Sequence, residues 1–406
     1  MAKTRLKVLD PLIYAPVEDM LHKESQFLEP FYRLITESVD PPFAISIDGL
    51  WGTGKTTAMR LLQDKLQLRG YPVFWFNPWK YSQTQDVVLA FLQSLASAHK
   101  DRLREMQKSG GQMFQVLLHI GMGTALKVFT QGQVSLNDVK EAFKEVEKDA
   151  PWENYQDMIV KIEAEFADLV NIISKHHDNK PLIIFFDDLD RCLPDNAIQL
   201  LEALKNLFVT PACQSIFICG IDTKVAKNFI QKHYDVAETF AINYFRKIFN
   251  LTVSMPYSAK LESLLLKHIQ ELYSWDDPDG NKAERLAAKV ASLGKQAEIA
   301  SVRNYLNVIH NVYAFQQFNP DYHFDPAEDE DFVLCILIVK EAWQPLYEQM
   351  IQSSLQREQP NMATMVNGLK ALLPVQADFL AKYFGENAPF GGKSLATELT
   401  HYPTLA

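Results

Sequence analysis

Apolar residues fall along this 406-residue chain in two rhythms. One is the short unbroken run. Phe43-Ala44-Ile45-Ser46-Ile47-Asp48, Tyr71-Pro72-Val73-Phe74-Trp75-Phe76, Pro181-Leu182-Ile183-Ile184-Phe185-Phe186, Ser215-Ile216-Phe217-Ile218-Cys219-Gly220 and Phe249-Asn250-Leu251-Thr252-Val253-Ser254 are each four to six residues of β character. Runs of this kind predict strands buried on both faces, as in a parallel sheet. The other is helical spacing. Thr56 to Leu68 places Met59, Leu61, Leu62 and Leu66 on one face, and Val87 to Ala98, Asn196 to Phe208 and Thr223 to Gln231 read as further helices.

Strands alternating with helices predict a parallel sheet covered on both faces. An amphipathic helix is expected around Ser25 to Ser38, ended by Pro41-Pro42. From about residue 100 to 179 the chain is helical and charged, with breaks at Gly110-Gly111 and Gln131-Gly132-Gln133. It reads as an insertion into the α/β core. After Pro256 the pattern is helical to the end. The domains are therefore expected at 1–257 and 258–406. The acidic stretch Asp325 to Asp331 and Gln356 to Pro360 read as surface loops, and Phe390 to Ala406 as a loosely ordered tail.

The formal net charge of -10 argues against a general nucleic-acid binder, though not against a local basic groove. Cys192, Cys213, Cys219 and Cys335 form no paired motif and are expected to be buried, reduced thiols of a cytoplasmic protein. No signal peptide is visible. The best membrane candidate, Val116 to Phe129, contains His119 and Lys127. It is shorter than the roughly 20 apolar residues a spanning helix needs.

The chemistry begins at Gly49-Leu50-Trp51-Gly52-Thr53-Gly54-Lys55-Thr56, followed by Thr57. Glycine, four residues, glycine, lysine and threonine form a phosphate-binding pattern. The glycines let successive N–H groups point at phosphate oxygens, and the following helix adds its positive end. Lys55 can reach the β- and γ-phosphates, and Thr56 offers a hydroxyl to Mg²⁺. The pattern follows an apolar strand and precedes an amphipathic helix, as the mechanism requires. Leu182 to Phe186 then ends in Asp187-Asp188. Asp187 is the expected Mg²⁺ ligand, and Asp188 is the candidate to orient or deprotonate water. Either could instead cap a helix. Asp190 and Arg191 form a local ion pair, or Arg191 serves the nucleotide of a neighbouring subunit.

At Asp187-Asp188-Leu189-Asp190-Arg191-Cys192 the sequence resembles the KAP family of P-loop NTPases. Its phosphate loop is similar to the tryptophan-containing loop of that family. Phe76-Asn77-Pro78-Trp79-Lys80-Tyr81 is similar to a family signature that carries alanine where Pro78 stands. Gly220-Ile221-Asp222, Tyr244-Phe245-Arg246-Lys247-Ile248, Ser301-Val302-Arg303-Asn304-Tyr305 and Asp331 to Tyr347 follow in family order, with Val302 at the position of a usual proline. The resemblance covers roughly residues 20 to 350. Many members carry two transmembrane helices between the phosphate loop and the acidic box, and this chain departs from them.

The resemblance implies an α/β fold: a three-layer P-loop NTPase sheet of ASCE type, strand order 5-1-4-3-2, with a helical insertion and a C-terminal helical domain. It implies ATP and Mg²⁺ as ligands. Asp222 would sense the γ-phosphate or cap its helix. Arg246 and Lys247 would stabilise the transferring phosphoryl group, in cis or across an oligomer interface, or lie solvated. Trp51 and Trp79 would flank the nucleotide or, more usually for such residues, sit in the core. Asn77 would position water or serve a turn. Arg303 would act as a lid sensor or pair on the surface. The activity implied is a Mg²⁺-dependent ATPase switch or assembly ATPase, with a protein partner or second copy on the C-terminal helices. Related bacterial proteins point to phage defence or signalling. A small-molecule kinase and an ATP-binding scaffold are the competing classes.

Overall fold

The computed structural model describes residues 27–81, 87–107, 155–211, 213–255, 261–273, 281–299, 301–320, 322, 331–354, 360–369 and 377–401. The apolar segment Val116 to Phe129 and the breaks at 110–111 and 131–133 lie outside these residues. So do 325–330, 356–359 and 402–406.

Five strands form one parallel sheet: β1 (Phe43–Asp48), β2 (Val73–Phe76), β3 (Leu182–Phe186), β4 (Ser215–Ile221) and β5 (Leu251–Ser254). Their order is β2-β3-β4-β1-β5, the expected 5-1-4-3-2 read from the other edge. The central strands are buried along their length because both faces are covered. Edge strand β5 alternates half-buried and exposed positions.

The faces separate residue by residue. On β3, Leu182, Ile184 and Phe186 join one core. Ile183 and Phe185 join the other. The second face is covered by the short helix α1 (Glu29–Arg33), which continues as a wider turn over Leu34–Ser38, and by α2 (Lys55–Leu68). The first is covered by α3 (Val87–Ala98), α4 (Lys100–Gln107), α5 (Tyr155–Lys175) and α6 (Pro194–Ala203), with α7 (Thr223–Tyr234) and α8 (Glu238–Ile248) at its edge. Phe91 of α3 anchors it, 5.1 Å from Phe186 edge-on and 5.0 Å from Phe208. The described parts of the 100–179 stretch are helical, as expected.

Beyond β5 the chain is helical: α9 (Leu261–Leu272), α10 (Lys282–Gln296), α11 (Val302–Phe318), α12 (Phe332–Ala342), α13 (Gln344–Ser354), α14 (Met362–Leu369), α15 (Ala377–Phe384) and α16 (Leu395–His401). These helices share a hydrophobic cluster of their own, from Leu264 to Leu399. The tail corrects the expectation of looseness. Phe390 and Leu395 are buried in that cluster, and Ser394 bridges to Asn361. Gly391 and Gly392 make the tight turn that the sequence suggested was slack. All four cysteines are buried and outside any disulfide. Among the described residues, no helix is long and apolar enough to cross a membrane.

Candidate functional site

The site lies at the carboxyl ends of β1, β3 and β4, where parallel strands open onto their loops. After Asp48 the chain turns through Gly49 to Gly54 into α2. Gly52 and Gly54 take positive φ angles of 79° and 87°, a conformation that only glycine adopts cheaply. Thr53 closes the turn, donating both its N–H and its hydroxyl to the Leu50 carbonyl, at 3.3 and 2.8 Å. The loop leads directly into the first turn of α2, and the first N–H groups of a helix have no intrahelical partner, which is the general basis of anion binding at helix N-termini.

Lys55 is buried, and its ammonium lies against protein oxygens. It donates to the Gly49 carbonyl and, at 3.3 Å, to the Leu50 carbonyl. The Asp190 carboxylate is 3.7 Å away. At the next residue, the Thr56 hydroxyl donates to Asp187 Oδ1 at 3.0 Å. Asp187 is 1% exposed, and its Oδ2 has no protein partner. Burial pushes its carboxyl up from 3.8 to about 7, and the neighbouring Asp188 charge adds to the rise. Thr56 opposes it. Two hard oxygen donors face each other across the loop, one of them a buried carboxylate oxygen without a donor. That set fits Mg²⁺.

Asp188 sits in the left-handed conformation, φ 60° and ψ 29°, ahead of a 3₁₀ turn over Leu189–Arg191. In such a turn residues three apart eclipse. Arg191 Nε therefore meets Asp188 Oδ1 at 2.9 Å, which replaces the local Asp190–Arg191 pair suggested by adjacency. Asn77, at the end of β2, donates from Nδ2 to Asp188 Oδ2 at 3.0 Å. Asp190 instead turns inward. Its Oδ2 accepts from Trp51 Nε1 at 2.7 Å and from the Asp222 N–H at 3.1 Å.

The two tryptophans depart from the core reading. Trp51 is 55% exposed and Trp79 47%. The Arg191 guanidinium carbon lies 5.9 Å from the Trp51 ring and 5.3 Å from the Trp79 ring, so the aromatic faces hold a cation instead of filling the interior.

Asp222 caps α7, accepting from the N–H groups of Lys224 and Val225. Its neighbourhood is nonetheless the site, through Asp190. Arg246 and Lys247 are exposed in the last turn of α8. The next residues enter the sheet at its amino end, where the Asn250 N–H donates to the Ala44 carbonyl at 2.9 Å. The pair is thus at the opposite end of β1 from the phosphate loop. A role within the same chain does not fit; of the readings weighed, a neighbouring copy or plain solvation is left. Arg303 is exposed at the start of α11, and its N–H approaches the Gly52 carbonyl at 3.4 Å. A β-carbon on Gly52 would lie 2.6 Å from the Arg303 β-carbon and 2.7 Å from Ser301 Oγ. The C-terminal helices therefore rest directly on the phosphate loop.

Three contacts had no signal in the sequence. Asp48 accepts from the Thr223 N–H at 3.0 Å. Ser301, which caps α11, touches Gly52. Arg60 stacks 3.5 Å over Trp75 and brings a positive charge toward Asp187. Burial, with the Asp190 and Asp188 charges beside it, raises the Cys192 thiol to about 12 and disfavours its thiolate form.

The model of the KAP family P-loop domain matches residues 25–320. The chain belongs to the KAP family. It is a nucleotide-binding P-loop NTPase, and the match spans the sheet, the acidic box and α11. No curated protein matches the sequence. Two solved structures resemble the fold loosely. The Aeropyrum pernix ORC2 protein, described in ADPNP–ADP complexes, is 11% identical with a TM-score of 0.37, over 95% of this chain and 86% of that one. A point mutant of Thermotoga maritima RuvB is 11% identical with a TM-score of 0.33, over 98% of both chains. The family assignment does not rest on either.

Proposed function

We propose that this KAP-family chain binds ATP with Mg²⁺ at Gly49 to Thr57, hydrolyses it slowly, and acts as a nucleotide-dependent switch. The observation that carries the reading is the Thr56–Asp187 pair, with a buried Asp187 oxygen that no protein group satisfies. A fully buried carboxylate of that kind is costly without a cation.

In this reading the N–H groups of Gly52, Gly54 and Lys55 cradle the phosphates. Lys55 supplies positive charge to the β- and γ-oxygens. Thr56 and Asp187 hold Mg²⁺, which when bound neutralises charge that develops on the transferring phosphoryl group. Asp188 orients and deprotonates water. Both of its oxygens are held, by Asn77 and by Arg191, which fixes its direction and favours slow turnover. Arg303 and Ser301 carry the state of the loop into the C-terminal helices, residues 258–406, which we assign to a partner or a second copy. A place in bacterial phage defence or signalling is consistent with the family.

The test is binding and hydrolysis together. Lys55→Ala should abolish ATP binding by calorimetry, and Asp187→Asn should remove Mg²⁺-dependent ADP release. Retained triphosphate affinity in Lys55→Ala would sink the assignment of the loop.

A further inference from the structure

One carboxylate in the site has a place that ATP binding does not explain. Asp190 is 4% exposed. A single oxygen, Oδ2, takes the Trp51 indole N–H, the Asp222 N–H and the approach of the Lys55 ammonium. The group that should meet the phosphates is therefore already facing an internal anion. The same oxygen holds the indole N–H of Trp51, a residue that is 55% exposed.

We propose that Asp190 is a positioning residue that competes with the triphosphate for Lys55 and couples the outcome to Trp51. The proposal rests on the phosphate-loop reading above. Its physics is a shared counterion. A phosphate oxygen that engages Lys55 draws the ammonium from Asp190, and the carboxylate then has more negative charge to share with its remaining donors, Trp51 Nε1 and the Asp222 N–H. The indole hydrogen bond strengthens, and the exposed ring feels which anion Lys55 has chosen. Through Arg191, which lies near both tryptophan rings and pairs with Asp188, the change reaches the acidic box.

The competition predicts an effect opposite to that of a merely structural residue. In Asp190→Asn the side-chain carbonyl can keep the Oδ2 position and its two N–H donors, while the charge is gone. If Asp190 holds Lys55 in most molecules, removing the charge releases a binding-competent fraction and tightens affinity by about three- to tenfold.

The experiment uses the full chain and a non-hydrolysable ATP analogue with Mg²⁺, followed by calorimetry. Tighter binding by Asp190→Asn, with Lys55→Ala inert, is the expected result. Weaker or unchanged binding by a folded Asp190→Asn, with Lys55→Ala still inert, overturns the competition and leaves the phosphate loop standing. Binding by Lys55→Ala would overturn the phosphate loop itself. Should Asp190→Asn fail to fold, the tryptophan decides. The emission difference between the wild-type chain and Trp51→Phe should shift when the analogue is added, and an unchanged difference overturns the coupling.

Discussion

Removing the charge of Asp187 should stabilise the metal-free protein while disabling it. The carboxyl is 1% exposed and is pushed from 3.8 to about 7, first by burial and then by Asp188. A group raised in the folded state holds its proton more tightly there than in the unfolded chain. Its contribution is therefore full below about pH 4 and is lost as pH rises to about 7. At about 1.4 kcal/mol per pH unit, ionised Asp187 costs the fold about 4 kcal/mol at pH 8. Asp187→Asn avoids that cost and keeps the acceptor for Thr56. The measurement is urea denaturation of wild type and variant in chelator, at pH 4 and pH 8. Comparing the two proteins cancels groups that do not contact the site. The variant should gain about 2 to 4 kcal/mol at pH 8 and nothing at pH 4. Added Mg²⁺ should narrow the gap from the wild-type side. A variant less stable at pH 8, or a gap independent of pH, would refute the reasoning.

Asp188→Asn should lower the rate of phosphate release by about 10² or more and leave the affinity for the non-hydrolysable analogue within about threefold, because a positioned base acts in the reaction and not in binding. An equal loss in both would move Asp188 from chemistry to structure. Gly52→Ala should destabilise by about 3 kcal/mol, from a positive φ angle and contacts of 2.6 and 2.7 Å with Arg303 and Ser301, read as a lower thermal midpoint; an unchanged midpoint would show that the helices yield freely. Phe91→Ala should cost about 3 to 5 kcal/mol in chemical denaturation, since it empties the centre of the aromatic core between Phe186 and Phe208. A loss under about 1 kcal/mol would mean that the core collapses around the gap.

Strands and loop were legible because each is written locally. An unbroken run such as Leu182 to Phe186 has only one burial pattern to satisfy, and the glycine–lysine spacing carries its mechanism with it. What was not legible depends on partners far along the chain. Nothing near Asp190 announces Trp51, 139 positions away. Trp51 and Trp79 look like core residues by type, yet a guanidinium between them keeps them at the surface. The Asp188–Arg191 pair is set by a three-residue turn that sequence adjacency hides. The tail deceived through Gly391 and Gly392, which mark a turn wherever they stand, while Phe390 and Leu395 supply the burial. Arg246 and Lys247 had the right residue types, but strand register puts them at the wrong end of β1 for this chain's own loop.

The seating of Ser301 and Arg303 on Gly52 bears on how the protein can be divided. A cut at the end of the sheet, near residue 257, looks natural from the strand count. It would strip away the wall that the phosphate loop leans on. The family match runs instead to residue 320, just past the end of α11 at Phe318. The matched unit therefore keeps the sheet, α9, α10 and the supporting helix α11 together, and the helices from α12 onward lie outside it.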